Sequence, residues 1–174
     1  MTQISRRGVM LALSSPSGAG KSSIGLQLSK VLKLQFFDSD REIVKNTGAE
    51  ISLIFDIEGE TSFRVREKKM VDNLTKINDS IIATGGGAIL DSDSRQRLQS
   101  RGFVVYLKSS MEILAERTQN DKHRPLLQNR ERTKTIAKLM RQRAPLYESI
   151  ADMTIDTSSA SVKQIVQQIT RGII

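Results

Sequence analysis

Lys21 and Ser22 close the run Ser15-Pro16-Ser17-Gly18-Ala19-Gly20-Lys21-Ser22, with Ser23 directly behind it. A lysine and a hydroxyl at the end of a glycine-rich turn suit the phosphates of a nucleoside triphosphate. Gly18 and Gly20, with Ala19 between them, let successive backbone N–H groups turn inward to form a concave anion site. Lys21 then reaches the β- and γ-phosphates, and the Ser22 hydroxyl is a hard oxygen donor suited to Mg²⁺. The strict P-loop pattern G-x-x-x-x-G-K-[ST] begins with glycine where this chain has Ser15. The competing reading is a flexible turn ahead of a helix.

Phosphoryl transfer asks a protein chiefly for positioning and charge neutralisation. Three further sets of residues suit that task. Asp38 and Asp40 stand two positions apart, so that one carboxylate can hold Mg²⁺ and the other can orient an acceptor hydroxyl. As strand residues the two would project to the same side of the chain end; as a turn or helix cap they would serve only local structure. Gly85-Gly86-Gly87 offers backbone N–H groups where side chains would collide with a ligand, or else is simply a loop. Arg64, Arg124 and Arg143 each adjoin apolar residues, and their planar guanidinium groups suit bidentate binding of carboxylate or phosphate. Taken singly, each arginine is equally readable as a solvated or ion-paired surface residue.

These residues need a scaffold that brings them to one place. Apolar runs at 9–13, 34–37, 80–84, 103–107 and 153–156 read as strands, and the unbroken run at 103–107 suits a strand covered on both faces. Between them lie helical patterns starting near Lys21 and Arg41, across 51–77 with Gly59 interrupting, at 92–100 with Gly102 as its cap, and at 110–118. A basic helix follows from about Thr133. Val162, Ile165, Val166 and Ile169 form the stripe of a C-terminal helix. Strands alternating with helices predict an α/β fold, a five-stranded parallel sheet with helices on both faces. Ligands of such folds gather at the carboxyl ends of the strands, where the P-loop, the Asp pair and the triple glycine all fall.

The 174 residues suit one domain, and 38% hydrophobic with 26% charged residues suits a globular protein. The absence of cysteine excludes thiol catalysis, disulfides and cysteine-based zinc sites, and the single histidine, His123, excludes a multi-histidine metal centre. The apolar run after the basic start is about one strand long, too short to span a bilayer, so a cytoplasmic protein without membrane association is expected. The net charge of +8 raises the question of nucleic acid. With only 4% aromatic residues and scattered basic ones, the expectation is instead an enzyme whose ligands are anions.

The six stretches Gly18-Ala19-Gly20-Lys21-Ser22, Asp38-Ser39-Asp40, Phe63-Arg64 with Glu67, Thr84-Gly85-Gly86-Gly87, Arg124-Pro125-Leu126-Leu127 and Arg143-Ala144-Pro145-Leu146-Tyr147 occur in one order across nearly the whole chain. In that order and spacing the chain resembles the shikimate kinases, small P-loop kinases of the nucleoside-monophosphate-kinase class. The resemblance implies a single kinase domain over 1–174 that uses ATP and Mg²⁺ to phosphorylate the 3-hydroxyl of shikimate, as a monomer. By position it makes Asp40 the candidate base and shikimate ligand. Arg64 and Arg143 become the carboxylate clamp beside Gly85, Gly86 and Gly87. Glu67 orients the arginines, and Phe55 and Phe63 line the pocket. Ser22 and Asp38 become the Mg²⁺ residues. Lys21 and Arg124 stabilise the transferring phosphoryl group, Arg124 from a lid at about 119–132, and Arg117 packs on the adenine. Gly18, Ala19, Gly20, Ser22 and Ser23 belong to the nucleotide site. Two departures stand out: the loop opening Ser15-Pro16-Ser17 looks more like that of guanylate kinases, and Ser158-Ser159-Ala160 lacks a basic residue some members carry near the adenine. Another small-molecule kinase, with guanylate or gluconate as acceptor, and a basic nucleic-acid-binding module are the competing functions.

Overall fold

The computed structural model describes residues 10–16, 18–120 and 131–173. Arg124 and most of the expected lid lie outside the described residues.

Strand β1 (Met10–Ser14) reads Met-Leu-Ala-Leu-Ser and is buried along its whole length. It is buried because it is central: β3 (Ser80–Ala83) and β4 (Phe103–Lys108) both pair with it in parallel. Strands β2 (Gln35–Asp38) and β5 (Met153–Asp156) complete the sheet in the order β2-β3-β1-β4-β5. The twofold alternation of side chains sends Met10, Ala12, Ile82, Val104 and Tyr106 into one hydrophobic core. Leu11, Leu13, Ile81, Val105 and Leu107 enter a second core on the opposite face. With both faces covered, apolar side chains fill the strand interiors and the buried serines Ser14 and Ser80 stand only at strand ends, which is why these strands read as near-continuous apolar runs.

Helices supply the two outer layers. Ile24 and Leu28 of α1 (Lys21–Leu32), Leu114 of α5 (Met111–Thr118), and Ile165, Val166 and Ile169 of α7 (Val162–Ile173) pack in the second core. Ile43 of α2 (Ser39–Thr47), Phe63 and Val71 of α3 (Ile51–Leu74) and Leu98 of α4 (Ser92–Arg101) pack in the first. Burying a side chain such as Leu28, which is fully covered, contributes about 1.5–3 kcal/mol. The helix α6 (Arg132–Ile150) belongs to both layers: Ile136 enters the second core, Tyr147 and Ile150 the first. Arg143 lies between these two contacts, buried where the helix passes from one layer to the other. Pro145 lies inside α6 without ending it.

Several local expectations change. The chain leaves β2 at Asp38 and enters α2 at once, so Asp38 and Asp40 do not alternate along a strand. Asp38 is the N-cap, its Oδ1 accepting from the backbone N–H of Asp40 at 3.0 Å and of Arg41 at 3.2 Å. The capping preference of aspartate overrides the strand period at this junction. Helix α3 ends at Leu74, and Gly59 (φ 82°, ψ 170°) breaks its regular dihedrals as expected. Gly102 follows α4 in an extended conformation and is no left-handed cap. It adjoins Met10, whose carbonyl oxygen lies 2.5 Å from where a Cβ would stand.

The strand register decides what meets what. Ala83 pairs with Leu13 of β1 and with Asp38 of β2, so all three strands end in one row. The glycine-rich loop, the Asp38 cap and the triple glycine therefore leave the sheet at the same level, although 16 residues separate Ser22 from Asp38 and 46 separate Ser39 from Gly85.

Candidate active site

The loop after β1 has the backbone its sequence requires. Gly18 (φ 94°) and Gly20 (φ 92°) occupy the left-handed region, where a side chain would be strained. Gly20 is the N-cap of α1, so the unpaired N–H groups and positive dipole end of that helix open onto the loop. Ala19 is buried, Ser23 is exposed on the first turn, and the Lys21 ammonium reaches back over the loop. It donates to the Ser15 carbonyl (2.9 Å), the Ser15 hydroxyl (3.0 Å) and the Pro16 carbonyl (3.2 Å). Ser15 is absent from the positive-φ residues and fully buried, so this position needs no glycine. Its hydroxyl donates to the Pro16 carbonyl and accepts from Lys21, tying the loop closed. The departure from the strict motif is thus an added polar contact at an undemanding backbone position.

The Ser22 hydroxyl donates to Asp38 Oδ2 at 2.8 Å. Asp38 uses one oxygen to cap α2 and turns the other to Ser22, so the structural and functional readings of this residue both hold. A hydroxyl and a carboxylate side by side, both hard oxygen donors, fit Mg²⁺ that takes its remaining ligands from phosphate and water. Arg117 donates to the carbonyls of Gly18 (3.3 Å) and Thr157 (3.4 Å), joining the phosphate loop to the turn after β5.

The residues expected to bind the acceptor lie around the triple glycine. A Cβ on Gly85 would stand 2.7 Å from Asp40 Oδ1 and 2.8 Å from Glu67 Oε2; one on Gly87 would stand 2.2 Å from Arg64 Nη1. Glycine at these two positions lets the ends of the three charged side chains lie directly against the loop backbone. Arg64 donates to Glu67 at 2.6 Å and to Glu60 at 3.2 Å, and its Cζ lies 5.3 Å from the centroid of the Phe63 ring. Phe63 is buried, with Phe55 tilted against it at a centroid distance of 4.9 Å. Arg143 is 6% exposed, and among the described residues its Nε has no hydrogen-bond partner. The structure therefore gathers Asp40, Phe55, Phe63, Arg64, Glu67, Gly85, Gly86, Gly87 and Arg143 around one loop beyond the sheet edge that also carries the P-loop.

Two positioning residues carry no signal strong enough to be read in advance. Ser39 is buried between the two aspartates, and its hydroxyl accepts from the Gly85 N–H at 2.9 Å. Tyr147 donates from its phenol to the Gly86 carbonyl, 61 positions away in sequence. Both lie inside motifs quoted above, but a serine and a tyrosine with apolar neighbours read as cap and core until the partner segment is in place.

Burial pushes the Glu67 carboxyl up to about 6; Arg64 and Arg143 oppose the rise, and Asp40 adds to it. Its titration carries opposite signs for folding and for function. A carboxyl raised above its unfolded value stabilises the fold fully below about 4.5, and that contribution is lost as pH rises through about 6. The charged form, in contrast, is the one that pairs with and orients Arg64. Acceptor kcat/KM should therefore fall on the acid side with a limb near pH 6 while the fold stays intact, as read from initial rates between pH 5 and 8 alongside circular dichroism. Replacement by glutamine should abolish that limb.

A glycine-rich phosphate loop on the central strand of a parallel β2-β3-β1-β4-β5 sheet, with carboxylates and arginines at the same edge, defines a P-loop kinase of the nucleoside-monophosphate-kinase class. A family model described as shikimate kinase matches residues 17–173, and the chain belongs to that family. The shikimate kinase of Wigglesworthia glossinidia brevipalpis is 46% identical to it over 167 residues, 95% of each chain. Shikimate kinase 1 of Yersinia pestis (strain Pestoides F) is 48% identical over 155 residues, covering 88% of this chain and 90% of its own. The solved structure of shikimate kinase from Acinetobacter baumannii in complex with shikimate matches with a TM-score of 0.93 at 41% identity, over 95% of this chain and 92% of that one. As a kinase of the P-loop class it takes ATP as its nucleotide substrate. Among the described residues no helix is long and apolar enough to cross a membrane.

Proposed function

We propose that this chain transfers the γ-phosphoryl group of ATP to the 3-hydroxyl of shikimate, giving shikimate 3-phosphate and ADP, a step of chorismate and aromatic amino-acid synthesis. The observation that carries the reading is the buried Arg143 beside a glycine loop on which Asp40, Glu67 and Arg64 converge. A buried guanidinium favours a charge-assisted, bidentate anionic partner, and the acceptor carboxylate supplies one.

Arg143 and Arg64 hold the carboxylate of the acceptor, and Glu67 keeps Arg64 aimed. Gly86 and its neighbours let the ring approach the backbone, with Phe55 and Phe63 as the apolar wall. Asp40 accepts the proton of the 3-hydroxyl as its oxygen bonds to the γ-phosphorus; the bridging P–O bond breaks and ADP leaves. Lys21 and the amides of Gly18, Ala19, Gly20, Ser22 and Ser23 hold the phosphates, and Arg117 borders the nucleotide base. Arg124, outside the described residues, shares the charge-stabilising role with Lys21. Ser22 and Asp38 hold Mg²⁺, which neutralises phosphate charge when bound. In this reading the enzyme acts as a cytoplasmic monomer, as its resemblance to the family implies.

ADP release with MgATP, compared for shikimate, GMP, gluconate and no acceptor, tests the function. Turnover with shikimate alone is expected; turnover with GMP or gluconate and none with shikimate would reassign the acceptor.

A further inference from the structure

Tyr147 is 1% exposed and has no part in the chemistry above. It follows Arg143 by four residues on α6, so the two side chains leave the same face of the helix one turn apart. Its ring stacks on Tyr106 of β4 at a centroid distance of 5.2 Å and an interplanar angle of 19°, which anchors it to the sheet. Its hydroxyl donates to the Gly86 carbonyl at 2.5 Å. The Arg143 guanidinium lies close enough to act on the same phenol oxygen.

What that hydroxyl holds is the least self-supporting segment of the site. Three consecutive glycines have no side chains to pack and lose more conformational freedom on ordering than other residues. Their peptide groups are fixed one at a time. The Ser39 hydroxyl accepts from the Gly85 N–H, and the Gly85 carbonyl accepts from the Ala88 N–H at 3.1 Å. The Gly86 carbonyl accepts from Tyr147, and because the peptide unit is planar this also sets the Gly87 N–H. Gly87 is in turn the surface on which the Arg64 guanidinium lies.

We propose that Tyr147 is the positioning residue of the acceptor-carboxylate site, holding Arg143 on α6 and the triple-glycine loop after β3 in one register before substrate arrives. Burial pushes its phenol well above the ordinary tyrosine range, so it is a protonated donor at neutral pH. The proposal rests on the shikimate reading for its acceptor, while its structural half can be read without substrate.

The test compares Tyr147→Phe, which keeps the ring and the stack on Tyr106, with the unsubstituted enzyme. Loss of one hydrogen bond and exposure of a buried carbonyl should raise KM for shikimate by about tenfold, with KM for ATP unchanged and the circular dichroism spectrum retained. The penalty should disappear for the analogue in which the shikimate carboxylate is reduced to a hydroxymethyl group, since Arg143 then has no carboxylate to meet. An unchanged KM for shikimate, or an equal penalty with both acceptors, would overturn the proposal. Amide hydrogen exchange at Ala88 and Leu90 gives the reading that needs no turnover. Protection in the substrate-free enzyme and faster exchange in Tyr147→Phe are expected; equal exchange in both proteins would also overturn it. Absence of shikimate turnover by the unsubstituted enzyme would sink the acceptor assignment instead and leave the exchange result to judge Tyr147.

Discussion

Asp40→Asn should lower kcat with shikimate by about 10²–10⁴-fold, the range associated with losing a general base, while nucleotide affinity stays near that of the unsubstituted enzyme. The substitution is nearly isosteric, and it leaves the backbone contacts of the α2 terminus in place. The Asp40 backbone N–H bonds to Asp38 Oδ1, so the α2 cap survives, and the Ser22–Asp38 contact on the nucleotide side is untouched. What disappears is a proton acceptor packed against Gly85 beside Glu67. The charge of Asp40 also raises the Glu67 carboxyl, so its removal should move the acid limb of shikimate binding below pH 6. Steady-state rates give the first outcome, a fluorescent nucleotide titration the second, and shikimate binding between pH 5 and 8 the third. Near-normal turnover in Asp40→Asn would remove the base assignment.

Arg143→Ala should weaken shikimate binding by about 10²–10³-fold, because two charge-assisted hydrogen bonds at roughly 1.5–3 kcal/mol each are lost, offset in part by residual binding through Arg64. Arg143→Lys should recover little of this, since a point charge on a flexible stem does not reproduce a planar fork in a buried site. The effect should fall on KM for shikimate, with KM for ATP constant. A cation that holds the Glu67 carboxyl down is also removed, so the acid limb should shift above pH 6, opposite in sign to Asp40→Asn. Opposite shifts from two charges that act on the same carboxyl would identify Glu67 as the titrating group. Shifts of the same sign would assign the limb elsewhere.

Most of the scaffold is legible in the sequence because its signals are local and redundant. Five apolar runs, a glycine turn ending in Lys21-Ser22 and the Val162, Ile165, Val166, Ile169 stripe depend on periodicities that persist whatever the neighbours are. The individual acceptor-site residues were recognisable as a set through their order in the chain. Their relations were harder to read. Aspartates two positions apart look the same on a strand end and in a helix cap, and the choice fell to the hydrogen bonds available at the α2 terminus. Gly102 looks like a helix cap, yet its reason is the carbonyl of Met10, an atom 92 positions earlier.

Sequence alone determined the reaction class, since phosphate binding is written into contiguous backbone geometry and needs only its own strand and helix to form. Tertiary structure decided which segments meet at the sheet edge. Asp40, Arg64 with Glu67, the triple glycine and Arg143 with Tyr147 come from four separate segments whose proximity no local signal reveals. They meet because parallel pairing ends β1, β2 and β3 in one row and because α6 crosses between the two cores at that edge. Burial there does what sequence cannot show: it raises Glu67 to about 6, encloses the Arg143 guanidinium and makes a tyrosine hydroxyl the tie between two elements.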